Sequence, residues 1–184
     1  DFLTVLPSDQ ITEEDFWKTK NDLNNARSGA YLHMVKTGSL EKVLVWGELR
    51  SDNLSLNKMD NTSILYLQDG ILRPTESMFD WGNFYTGINY CNKVLERGQE
   101  MVDEKVDETL REGDWKPIKA EMIALRALEY FYLVRAYRDV PYITTSISTD
   151  AEARKHLPKA VPGAQVLGYL INDLEDALNY AAVN

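Results

Sequence analysis

The stretch PIKAEMIALRALEYFYLVRAYRDVP, Pro117 to Pro141, reads as one long helix. Ile118, Met122, Leu125 and Leu128 or Tyr132 recur on one side, and Ala124, Ala127, Phe131 and Val134 on another. A surface helix needs a single apolar stripe, so an apolar arc this wide predicts packing from several sides. Ala120, Ala124 and Ala127 leave room for a neighbouring backbone. Pro117 suits a first helical turn, with Asp114 as a candidate cap, and Pro141 disfavours the α conformation at Val140 and closes the segment.

Working outward, the 184 residues suffice for one domain or part of a larger one. Hydrophobic residues make up 44%, with ten tyrosines and four tryptophans, which is too apolar and aromatic for disorder. No run of about 18 apolar residues predicts a membrane span. The formal charge of −9 disfavours nucleic acid, whose phosphates need a basic face. The lone Cys91 falls on a helical pattern and is expected to be buried. The opening DFLTVLP has neither the basic start nor the apolar run of a secretory signal.

Upstream, Pro7 to Gln10 predicts a turn, and Thr12 before Glu13, Glu14 and Asp15 predicts an N-cap. Phe16, Leu23, Ala30 and Met34 continue a first helix until Gly38, and a shorter one follows over 39–49, with Leu40, Val43, Leu44 and Trp46 inward. Residues 50–76, rich in Asn and Asp, read as a long irregular loop in which 63–68 could be strand-like. A second long helix is predicted from Thr75 or Glu76, its stripe being Met78, Trp81, Tyr85, Ile88, Asn92 and Leu95. The acidic run between Gly98 and Gly113 predicts a short exposed helix in a solvated connector. Beyond Pro141, residues 142–162 read as an extended loop, and Val166, Leu170 or Tyr169, Leu174, Ala177 or Leu178 and Ala181 mark a last helix. The fold class is therefore all-α, built of helical hairpins.

Catalytic and metal constellations fail on the residues themselves. His33 and His156 stand apart in no motif, and with Cys91 they give no zinc set. Leu54 and Leu56 occupy positions where a calcium loop would place ligands. No phosphate-cradling glycine loop or nucleophile elbow occurs, so the expectation is no enzyme, no metal and no cofactor. Trp81 is expected in the core, Asn92 to bond loop backbone, and Glu121 and Arg126 to tie helices together, with Arg126 placed to pair with Glu129. Long loops often carry function, which directs the search for a binding surface to 50–76.

The motifs in order, DFLTVLPSDQIT with Phe16-Trp17, GAY at 29–31, GELRSDN at 47–53, WGNFYTGINYCNKVL at 81–95 and AEMIALRALEYFYLVRAYRDVPYI at 120–143, resemble SusD-like (RagB/SusD) proteins. Glu121, Arg126 and Pro141 lie in the strongest part of the match. The resemblance implies tetratricopeptide-like hairpins. It further implies non-enzymatic capture of glycans or other nutrients on the outer-membrane surface, through a lipid anchor not present in this stretch, and delivery to a SusC-like TonB-dependent transporter. Residues 1–184 would form the N-terminal helical part of such a protein. Sugar binding needs flat aromatic faces and planar polar groups, for which the long loop offers Asp52, Asn53, Tyr66, Gln68, Asp69 and Arg73. The helix stripes alone would equally support a tetratricopeptide-like scaffold for peptide or protein partners.

Overall fold

The computed structural model describes residues 13–36, 38–49, 51, 54, 62–71, 73, 75–155 and 158–181. The turn expected at Pro7 to Gln10, the Thr12 cap and His156 lie outside them. Among the described residues the architecture is helical. The order is α1 (Glu13–Phe16), α2 (Lys20–Lys36), α3 (Ser39–Leu44), a π-helical turn (Val45–Leu49), α4 (Thr62–Gln68), a 3-10 turn (Ser77–Phe79), α5 (Gly82–Asp103), α6 (Glu112–Tyr137), α7 (Asp150–Lys155) and α8 (Gly163–Ala177). A minimal antiparallel pair, β1 (Val140–Pro141) with β2 (Ala160–Val161), joins Val140 to Val161 and Pro141 to Ala160.

Helix α6 is the centre that its wide apolar arc predicted: α5 packs on it from one side and α8 from another, while α2 packs mainly on α5. Leu23, Ala30, Cys91, Val94, Met101, Trp115 and Met122 fill one core, and Phe84, Ile88, Tyr130, Leu133, Val140, Val166 and Leu170 a second. The sequence boundary of α6 needs correction. It begins at Glu112, where the Asp114 carboxylate accepts from the Arg111 amide and so serves inside the first turn rather than as the cap itself. Pro117 thus lies inside the helix; the carbonyl it leaves without a partner belongs to Gly113, which is exposed.

Other boundaries also moved. The first helix is broken at Trp17 to Thr19, where Asp22 accepts from the Thr19 amide and hydroxyl and starts α2 afresh. Leu40 and Leu44 are exposed whereas Ser39 and Lys42 are buried. The strand-like 63–68 is helix α4, its Leu67 buried. The second long helix begins at Gly82, not near Glu76, and it continues to Asp103, so the solvated connector is shorter than expected and Met101 and Leu110 within it are buried. The loop after Pro141 contains β2 and α7.

That loop is tied down by the polar face of α5. Asn89 exchanges two hydrogen bonds with the Ile147 backbone, Asn92 donates to the Ile143 and Thr145 carbonyls, and Glu96 accepts from the Ser146 amide and hydroxyl. Arg126 does not pair with Glu129. It reaches across to Asn92 on α5 and Asp173 on α8, because the neighbouring helices present better-placed oxygens than the next turn does.

The α5–α6 contact depends on Gly98, where a Cβ would meet the Trp115 ring at 2.3 Å. Trp115 is buried and held by its Nε1 donating to Gln99 Oε1 at 3.1 Å, so the ring has little freedom to retreat. Gly98→Ala is therefore expected to destabilise the fold by about 1–3 kcal/mol through overpacking. A thermal or urea melt checks this, and an unchanged midpoint would contradict it.

Candidate functional site

Three elements converge on the turn before α5. Its successive carbonyls each accept from a different side chain: Met78 from Trp46 Nε1 at 2.9 Å, Phe79 from the Tyr137 hydroxyl, and Asp80 from Lys42 Nζ at 2.5 Å. The Asp80 carboxylate accepts from the Gly82 amide at 3.0 Å, capping the start of α5. The 3-10 turn and Asp80 after it are thus fixed by α3, the π-helical turn and the end of α6, and Trp81 is carried at their edge. Burial lowers the Lys42 pKa, with Asp80 opposing that shift. Burial, helped by Asp80, raises the Tyr137 hydroxyl to about 12, so it stays a donor at neutral pH.

Between this turn and the C-terminal end of α6 lies a cleft of about 560 Å³. Trp46, Phe79, Trp81, Tyr132 and Tyr137 give it aromatic walls, and Arg73, Asp80 and Arg135 give it charge. Trp46 stacks on Phe84 with centroids 5.2 Å apart and meets Tyr137 edge-on at 5.6 Å, so it serves as the wall's support. Trp81 meets Tyr137 at 5.0 Å and Tyr85 at 5.7 Å, both edge-on, and keeps 38% of its surface exposed. Contrary to the core placement expected from sequence, its ring is available to a ligand. The reason is local: Trp81 is the N-cap residue of α5, so no earlier turn of that helix covers it.

Of the residues predicted from the long loop, Arg73 lines the cleft, and Tyr66 lies beneath its guanidinium, 4.0 Å from carbon to ring centroid. Gln68 and Asp69 are exposed at the end of α4 and do not line the cavity. Asp52 and Asn53 lie outside the described residues. Asn92 and Arg126 are in the α5–α6–α8 network, and the Pro141 carbonyl accepts from Tyr85 at 2.8 Å. Glu121 faces Arg27 at 3.7 Å and the Tyr31 hydroxyl at 3.3 Å. Sequence reasoning missed Phe79, Asp80, Arg135 and Tyr137 as site residues. One signal was available: Tyr132, Arg135 and Ala136 are spaced three and four apart on one face, with a charge on an otherwise apolar helix.

A wall of aromatic faces flanked by planar charged groups is suited to non-covalent recognition of a ligand with both apolar and hydroxyl-bearing surfaces. Among the described residues no cluster of His, Cys, Asp and Glu could hold a metal ion.

The comparisons with known proteins agree with this architecture. A SusD-like protein from Formosa agariphila, P38, is 29% identical over 178 residues, which is 95% of this chain but 33% of that protein. A SusD superfamily structure from Bacteroides thetaiotaomicron superposes with a TM-score of 0.73 at 25% identity, covering 89% of this chain and 36% of the other. A laminarin-binding SusD-like protein superposes at 0.67 with 23% identity over 89% of this chain and 34% of its own length, a likeness of fold. The chain thus spans about a third of the length of these relatives. The pattern of the SusD-like family described as "starch-binding associating with outer membrane" matches residues 1–178, and the chain belongs to that family.

Proposed function

We propose that this chain contributes an aromatic glycan-binding cleft to a non-enzymatic nutrient-binding protein of the outer-membrane surface, which passes its ligand to a TonB-dependent transporter. The observation that carries the binding part is the cleft between the 77–81 turn and α6, with Trp81 exposed beside Arg73, Asp80 and Arg135. The apolar face of a pyranose stacks on an indole, while guanidinium and carboxylate groups match pairs of hydroxyls. The rigid carbonyl clamp by Trp46, Tyr137 and Lys42 preorganises the indole and limits the ordering cost of binding. The family's description supports the glycan class and the outer-membrane setting. Residues 1–184 serve as the helical part of the larger protein, with residues elsewhere completing the site.

Trp81→Ala in the full-length protein is expected to weaken glycan binding by about tenfold, equivalent to ~1.4 kcal/mol. Calorimetry or affinity electrophoresis with starch and laminarin measures it, with circular dichroism showing that the helices persist. A variant that binds as tightly as the parent would remove this cleft from the reading.

A further inference from the structure

We infer that the cleft is built for an acidic glycan, one carrying carboxylate or sulfate groups; this rests on the glycan reading above. The observation is an uncompensated pair of guanidiniums. Arg27, Arg97, Arg126 and Arg138 each have a carboxylate within ion-pair distance. Arg73, Arg111, Arg135 and Arg154 have no such partner among the described residues; of these, Arg73 and Arg135 line the cleft, and each lies over an aromatic ring: Arg73 over Tyr66 at 4.0 Å, and Arg135 over Phe131 at 5.5 Å and Tyr132 at 6.0 Å. A guanidinium this near an aromatic ring gains cation–π attraction and keeps N–H donors available for a planar anion. The single carboxylate in the lining among the described residues, Asp80, does not cancel them. It is engaged by the Gly82 amide at the positive end of α5, and Lys42 stands beside it.

The surroundings make the feature more specific. The whole chain carries −9, so two free guanidiniums in one aromatic cleft run against its average charge. A neutral glycan would gain hydrogen bonds from them, but only an anionic one would gain charge-assisted, bidentate bonds. The aromatic faces still require a sugar ring, which argues against a simple inorganic anion as the intended occupant. A ligand presenting a ring to Trp81 and an acidic substituent to Arg73 or Arg135 satisfies both halves of the cleft.

Matched pairs of oligosaccharides test this on the full-length protein by calorimetry: oligogalacturonate against its methyl ester for the carboxylate, and a sulfated galactan oligosaccharide against its desulfated form for the sulfate. The expected result is that the acidic member of at least one pair binds about tenfold more tightly than its neutral partner. The preference should shrink with added salt and fall to within about twofold in the Arg73→Gln/Arg135→Gln variant, the acidic member losing more affinity than the neutral one. Whichever pair shows the preference identifies the anion. Neutral members binding as well as acidic ones, a preference that survives the double substitution, or binding of starch or laminarin but of neither acidic oligosaccharide would each overturn the inference and leave the glycan reading standing. Failure of every one of these glycans to bind would overturn both.

Discussion

Arg126→Ala is expected to cost about 3 kcal/mol of folding stability, the low end of what breaking a buried ion pair from one side costs. Arg126 is 8% exposed on α6, which α5 and α8 flank. Its two terminal nitrogens donate at 2.9 Å to Asn92 Oδ1 on α5 and to Asp173 Oδ2 on α8. Asn92 in turn donates to the Ile143 and Thr145 carbonyls, and the Tyr142 hydroxyl donates to the same Asp173 oxygen at 3.0 Å. Truncating Arg126 would leave the Asn92 carbonyl and the Asp173 carboxylate to find new partners in a largely dry seam. Asp173 retains partial access to water, which is why the low end of the range applies. The discriminating measurement is a double-mutant cycle by urea unfolding. Arg126→Met with Asp173→Leu removes both charges, so it should recover at least about 1 kcal/mol relative to the sum of the single changes. Additive losses would mean that the network contributes through packing alone.

The same network shows where sequence reasoning reached its limit. Asn92 as a polar residue on an apolar stripe, bonded to loop backbone, follows from elementary hydrogen-bond accounting, and the structure has that arrangement. The partner of Arg126 does not follow. Spacing along α6 offered Glu129, but the actual carboxylate is Asp173, 47 residues away on another helix. Periodicity reports which face of a helix is buried, and it is silent about which neighbour supplies the oxygen. The cleft behaves likewise. Arg73 and Tyr66 were legible as polar and aromatic residues in a suspect loop, whereas Arg135 and Tyr137 belong to a helix that sequence reads as core. They become site residues only because Trp46, Tyr137 and Lys42 draw the 78–80 backbone against the end of α6. Trp81 is the N-cap residue of α5, at the end of the stripe on which periodicity placed it and not inside that stripe.

Glu129 yields the largest pH dependence. Its side chain is fully buried, and neither carboxylate oxygen has a hydrogen-bond partner among the described residues. Room for it exists because residue 87 is glycine: a Cβ there would lie 2.5 Å from Glu129 Oε1. Burial raises the carboxyl from the usual 4.5 to about 8. The folded state therefore holds a proton that the unfolded chain releases between those values. The stabilisation from protonated Glu129 is complete below pH 4.5, declines as pH rises, and is gone above about pH 8. At ~1.4 kcal/mol for each unit of pH, the loss across that window is on the order of 3–5 kcal/mol. Glu129→Gln keeps the shape without the charge. Denaturant unfolding at pH 5 and pH 8 should show the parent losing stability relative to the Gln variant by an amount of that order. Glu129→Met, which also removes the unpaired polar atoms, should be the most stable of the three at pH 8. A parent and Gln variant with parallel pH profiles would show that the carboxylate is hydrated or paired in solution, and would remove the buried proton from this account.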